Sequence, residues 1–154
     1  MKIGVLSDTH DFLDPKIPSL FKGVQHILHG GDIGMPVLLM ELELTAPVAA
    51  VGGNTDDPMF RYADTRAVEL GGLKFLLHHI VDPRAVRDDL KRRINRERPD
   101  VVIFGHTHKA FDETLDGVRY FNPGYAGKQR FNLKRSVAIL HCEETGIRAE
   151  FLAL

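Results

Sequence analysis

Val101-Val102-Ile103-Phe104-Gly105-His106-Thr107-His108 is a continuous apolar run that ends in two histidines spaced two apart. Read as a buried strand, it leaves both imidazoles just past the strand's carboxyl end, where ligands collect in open α/β sheets. Three other segments repeat the arrangement. Lys2 to Ser7 runs into Asp8-Thr9-His10, Val24 to His29 into Gly30-Gly31-Asp32, and Val48 to Val51 into Gly53-Asn54-Thr55-Asp56. A fifth strand closes on Leu76-Leu77-His78-His79. Neighbouring strand residues face opposite sides, so at most one of His78 and His79 can point into a shared site.

Taken singly, each cluster is a weak signal. Asp-x-His is commonly a surface or capping pair, Gly-Asp a turn, and Asn-Thr-Asp a helix N-cap. What carries the reading is their recurrence, each after an apolar strand and each able to face one rim. Glycine in front of most of them permits close backbone approach or φ > 0. Mixed carboxylate and imidazole ligands suit Mn, Fe, Co, Ni or Zn better than Mg or Ca, which prefer oxygen shells.

Between the clusters, Ile17, Leu20 and Phe21 predict a short helix, and Pro36 opens a second that Pro47 breaks. Pro58 to Arg66 has no pattern and reads as a loop over the site or an irregular turn. Gly71-Gly72 predicts a hairpin joining Ala67–Leu70 to Leu73–Leu77. Asp82-Pro83 reads as an N-cap with proline at the first helical position, followed by Val86, Leu90 and Ile94 four apart and ended by Pro99. The last third predicts strands over Phe111–Leu115, Val118–Asn122, Ser136–Cys142 and Arg148–Leu152. The expected architecture is α/β, two packed mixed sheets flanked by helices, as one domain over residues 1–154.

Composition bounds the function. The 20 Lys+Arg balance 21 Asp+Glu, so no global field favours nucleic acid or an anionic membrane. Cys142 is the only cysteine, which rules out an intramolecular disulfide. No apolar run approaches the ~18 residues of a membrane span, and the start lacks a secretory signal, so a soluble, cytoplasmic protein without membrane contact is expected.

The ordered set Asp-x-His, Gly-Asp, Gly-Asn-x-Asp, strand-terminal His and Gly-His-x-His resembles the calcineurin-like metallophosphoesterase superfamily, specifically its small bacterial and archaeal phosphodiesterase branch. The resemblance runs from Ile3 to about Arg130. It implies an αββα sandwich holding two divalent ions, one on Asp8, His10 and His108, the other on Asn54, His106 and one of the paired histidines, with Asp32 bridging both. The pattern Lys74-Phe75-Leu76-Leu77-His78 assigns that last ligand to His79, while Ile80 in place of the family's glycine keeps His78 as the alternative. Phe121-Asn122-Pro123-Gly124 resembles the family's Asn-Pro-Gly-Ser turn, with Tyr125 where serine is usual. Either the phenol shapes the substrate pocket, or Tyr125 packs on the surface of an ordinary type II turn.

The activity implied is a dinuclear metal-dependent phosphoesterase, specifically a phosphodiesterase acting on a small or nucleotide-like phosphate ester. Two ions roughly 3.5–4 Å apart would share a hydroxide that attacks phosphorus in line, with Asp32 and Asn54 in catalytic roles and Mn expected to support turnover. Thr55 stands where many members carry a leaving-group acid, so good leaving groups are expected to be favoured. Asp56 reads as a turn or cap residue, and His29 either orients a ligand or simply ends its strand. The competing reading from another class is a non-catalytic scaffold that keeps the fold for protein binding. A nuclease is disfavoured, because the basic residues of the 82–98 helix mix with acids and no aromatics interleave them.

Overall fold

A computed structural model describes all 154 residues. The chain opens with β1 (Lys2–Leu6), α1 (Ile17–Leu20), β2 (His26–His29), α2 (Val37–Glu43) and β3 (Val48–Ala50), in which the three strands pair in parallel. A 3-10 turn at Pro58–Phe60 occupies the patternless stretch. Then follow β4 (Thr65–Leu70), β5 (Leu73–His78), α3 (Asp88–Glu97), β6 (Val101–Ile103), β7 (Phe111–Leu115), β8 (Val118–Asn122), β9 (Ser136–Glu143) and β10 (Gly146–Ala153). The strands form two five-stranded mixed sheets, ordered β10-β9-β1-β2-β3 and β4-β5-β6-β8-β7. The expected α/β sandwich of two sheets with outer helices is what the chain forms.

Side-chain alternation explains the layering. Ile3 and Val5 of β1 meet Phe75, Leu77, Val101, Ile103 and Phe121 in the core between the sheets. The opposite faces carry Leu6 and Ile27 beneath α1 and α2, and Leu76, Val102 and Tyr120 beneath Leu90 and Ile94 of α3. Gly4 has a local reason: a Cβ there would lie 2.8 Å from the Phe21 ring that seals the outer layer. Gly71 and Gly72 both adopt positive φ (58° and 79°), the geometry of the two-residue turn their sequence predicts.

Most strands shift by one or two residues at an end from expectation, β2 starting at His26 and β4 at Thr65, and two boundaries differ more tellingly. Helix α3 starts at Asp88, not at the Asp82-Pro83 signal, because Asp82 closes a local turn instead, its Oδ1 accepting from Arg84 N at 3.0 Å. That stretch first carries the chain from β5 outward, pinned by buried Val81, and only then can Leu90 and Ile94 reach the sheet. The final strand starts at Gly146, so the β9–β10 connection is only Glu144-Thr145.

Candidate metal centre

Parallel pairing is what gathers the motifs. In the first sheet β1, β2 and β3 run in register and so end together, and in the second β5, β6 and β8 do the same. Past those ends the backbone turns sharply. Asp8, His10, Asp32, His106 and His108 all adopt left-handed φ, between 46° and 68°. Such backbone is uncommon for residues other than glycine, and it persists only where the surroundings impose it, often at functional sites. Two glycines allow the close approach without positive φ. A Cβ at Gly53 would collide with the Asp32 carboxylate, and one at Gly105 would lie 2.5 Å from Asp8 Oδ2.

The seven residues singled out by sequence lie together. Asp8 Oδ1 is 3.2 Å from His108 Nε2 and 3.9 Å from both His10 Nε2 and His79 Nε2. Asp32 Oδ2 is 3.2 Å from His79 Nε2 and 3.8 Å from His10 Nε2. His106 stands edge-on to His79, their ring centroids 5.5 Å apart, and its Nδ1 lies 3.0 Å from Asn54 Oδ1. Within this set Asp8, His10 and His108 form one compact donor group, and Asp8, Asp32 and His79 a second. Asp8 therefore sits between the groups as much as Asp32 does. His78 points elsewhere: its Nδ1 lies 2.8 Å from Thr65 Oγ1 and 3.0 Å from the Asp64 carbonyl.

Burial sets the electrostatics. Desolvation pushes the Asp8 carboxyl above its usual range against the pull of His79 and His108. For Asp32 burial acts the same way, but contact with His79 and the Thr55 N–H outweighs it and holds the group well below the carboxylate range. His79 is raised, since Asp32, Asp8 and the Gly30 carbonyl together overcome its burial. Yet neither His79 Nε2 nor His10 Nε2 makes an aligned hydrogen bond, although both are shut off from water.

Behind the centre lies a layer of orienting groups. Buried His29, which burial lowers to about 3, accepts from Gly31 N at 3.2 Å through Nδ1 and faces Thr9 Oγ1 at 3.0 Å. Thr9 in turn donates to the Ile33 carbonyl, so this trio locks the Asp8–His10 turn to the Asp32 turn. His29 therefore does more than end its strand, although it hydrogen-bonds to none of the seven donor side chains itself. Asp56 does more than cap a turn: its carboxylate accepts from Ile33 N (3.0 Å), Gly34 N (2.7 Å) and Gly53 N (2.8 Å). Asn122 donates to the Gly105 carbonyl and accepts from Gly124 N. Thr9 and Asp56 carried no distinguishing signal, because the partners that tie one turn to another lie 20 or more residues away: His29 and Ile33 for Thr9, Ile33 and Gly34 for Asp56. Tyr125 is wholly buried beside His108, which overturns its placement on the surface.

A family model described as the calcineurin-like phosphoesterase superfamily domain matches residues 1–145. The chain belongs to that superfamily. Among its relatives, a probable metallophosphoesterase of Methanothermobacter thermautotrophicus is 33% identical, aligned over 99% of this chain and 92% of its own. A structure characterised as an archaeal phosphodiesterase superposes with TM-score 0.75 at 29% identity, covering 99% of this chain and 100% of that one. A Vps29 variant from Entamoeba histolytica gives the same TM-score at 22% identity, over 100% and 99% of the two chains, a likeness of fold. No helix of this superfamily member is long and apolar enough to cross a membrane.

Proposed function

We propose that this protein is a dinuclear metal-dependent phosphodiesterase acting on a small or nucleotide-like phosphate ester. The observation that carries it is the orphaned imidazole nitrogen of His79. Its Nδ1 lies 2.7 Å from the Gly30 carbonyl, which can only accept, so Nδ1 holds the proton and Nε2 turns a lone pair toward Asp32 Oδ2 at 3.2 Å. A lone pair against a carboxylate calls for a positive charge beside it, a proton or a metal ion; Nε2 makes no aligned hydrogen bond that a proton would use, and His10 Nε2 faces Asp8 and Asp32 in the same unpartnered way, which supports the metal. The donors therefore suit divalent ions of the Mn, Fe, Co, Ni and Zn group, with Mn the expected activator.

In this reading Asp8, His10 and His108 hold one ion, Asn54, His79 and His106 the other, and Asp32 both. His78 is left out because Thr65 and Asp64 engage it. When bound, the two ions would supply Lewis acidity, bringing the pKa of a shared water toward neutrality and offsetting phosphate charge. The chain's own part is alignment. Thr55 N–H holds Asp32 Oδ1 at 2.9 Å, which leaves Oδ2 turned toward the two imidazoles. Asn54 Oδ1 is turned inward, 3.0 Å from His106 Nδ1, where both could face the ion, and this leaves the Asn54 amide nitrogen to donate to a phosphate oxygen. Thr55 Oγ1 lies 3.3 Å from His10 Nδ1, and a threonine cannot donate a proton as an acid near neutral pH, so esters with good leaving groups are preferred. The one cysteine is buried in the core between the sheets and out of reach as a nucleophile, so in this reading water is the attacking group.

Two clefts adjoin the centre and offer space for the two ester arms. One of about 920 Å³ runs past His108, Lys109 and Lys134, and one of about 590 Å³ past Asn54, His79, Arg87 and Arg93. Both sheets and both clefts contribute, so residues 1–154 act as one catalytic domain in this reading, and the balanced charge and lone buried cysteine suit a cytoplasmic setting.

The test is metal analysis coupled to hydrolysis of an aryl phosphodiester and an aryl phosphomonoester. Chelation should abolish activity and Mn should restore it, with two metal equivalents per chain. Undiminished turnover by the metal-free protein would sink the proposal. A protein-binding scaffold is the second reading, favoured by the exposed apolar residues Val37 and Met40 on α2 with Met35 and Leu44 flanking it. Metal binding without hydrolysis of either ester class would favour it.

A further inference from the structure

Histidines that hold metals are usually oriented through their second ring nitrogen, and His79 has such a partner in the Gly30 carbonyl. His108 has none: its ring makes no side-chain hydrogen bond, and it stands on left-handed backbone in a turn. What touches it is Tyr125. The two rings lie 4.6 Å apart between centroids at an angle of 37°, and Tyr125 also lies 6.1 Å from His10, which meets His108 edge-on at 5.6 Å.

The phenol is held tightly in that position. Its exposure is 0%, and the Arg130 guanidinium lies 5.7 Å from the ring centroid. At its far end the ring is fitted to Gly127, where a Cβ would sit 2.5 Å from Oη and 2.7 Å from Cζ. The backbone beneath is fixed as well, with Ser136 N donating to the Tyr125 carbonyl at 2.9 Å and Ala126 N to the Ser7 carbonyl at 3.1 Å. The hydroxyl itself has no hydrogen-bond partner. A buried hydroxyl without a partner burdens the fold, so the packing of the ring must outweigh that burden.

We propose that Tyr125 is a positioning residue whose ring, wedged between Gly127 and the imidazoles of His108 and His10, orients the donor group Asp8–His10–His108 and so sets the affinity of one of two metal positions. This rests on the dinuclear reading above. The ring does for His108 what the Gly30 carbonyl does for His79, by contact in place of a hydrogen bond.

The experiment is titration of the metal-free protein with Co, followed by absorption and calorimetry, for the parent and for Tyr125→Phe, Tyr125→Leu and Gly127→Ala. Tyr125→Phe keeps the ring and should bind both equivalents within about threefold of the parent. Tyr125→Leu should weaken one equivalent by roughly 10–100-fold, the range for lost ligand-orienting partners, and change its Co spectrum while sparing the other. Gly127→Ala sets a Cβ against the Tyr125 ring and 2.9 Å from the Asp8 carbonyl; it should weaken the same equivalent, and its parent-like binding overturns the proposal even if the leucine variant does not fold. Parent-like binding by Tyr125→Leu or Gly127→Ala, equal loss at both equivalents, or equal loss in Tyr125→Phe each overturns the proposal. A parent that binds no metal overturns the underlying reading instead.

Discussion

Replacing Asp56 by alanine removes one carboxylate and three backbone partners at once. The group is half-buried and joins the turn after β2, at Ile33 and Gly34, to the turn after β3, at Gly53. Hydrogen bonds to a charged group contribute about 1.5–3 kcal/mol each, and water can partly replace them at a half-buried position. A net loss of about 3–5 kcal/mol follows, against a total stability on the order of 10 kcal/mol for a chain of this size. At roughly 2–4 °C per kcal/mol, the metal-free protein should melt about 6–20 °C lower. Asp56→Asn should cost less, about 1.5–3 kcal/mol, because one oxygen can still accept from Ile33 and Gly53 while the amide opposes Gly34 N–H. Asp32 and Asn54 lie on the two tethered turns, so metal affinity should fall by roughly 10–100-fold as well. Calorimetric melting of the metal-free variants and a metal titration measure both effects. A melting temperature for Asp56→Ala equal to the parent's would refute the reasoning, because no other group bridges these turns through three backbone amides.

Asp32→Asn should lower the affinity of both metal equivalents together, since Oδ2 faces His10 and His79 alike; loss of only one by calorimetry would remove its shared role. His79→Ala should lose one equivalent by metal analysis and His78→Ala neither, and the reverse result would exchange their assignments. Asp14 and Arg135 form a part-buried pair at 2.8 Å, and weakening it through Asp14→Asn should cost about 1.5–3 kcal/mol at neutral pH. Burial alone would raise the Asp14 carboxyl, but the Lys16 N–H and Arg135 outweigh it and hold it low. Its contribution is therefore complete above the unfolded value of about 3.9 and is lost as pH falls through the lower folded one. Denaturant melts should show the gap between parent and variant closing in acid, and a gap unchanged down to pH 2 would contradict the linkage.

Much of the fold was legible because its signals are local. An apolar run followed by Gly and a polar cluster marks a strand end, and Gly71-Gly72 marks a turn that requires two positive φ angles. The start of α3 was not legible. Asp82-Pro83 has the chemistry of a helix cap, but a cap and a local turn use the same side-chain bond, and only the path from β5 to the sheet face decides between them. The candidate site divides the same way. Strand alternation says that one of His78 and His79 faces inward, while the choice of His79 depends on β5 lying beside β6 and across from the Gly30 turn. Tyr125 was ambiguous for a related reason, since a Pro-Gly turn looks alike whether the residue after it meets solvent or the underside of two histidines.

By itself the sequence determined the strands, the two-sheet α/β class and the candidate donors, because these follow from hydrophobic periodicity and residue chemistry within a few positions. The tertiary structure decided how those donors are held. Thr9, His29, Asp56 and Tyr125 act across 20 or more residues or through ring contact, and hydrogen-bond direction and ring packing exist only once parallel pairing has brought the strand ends to one rim.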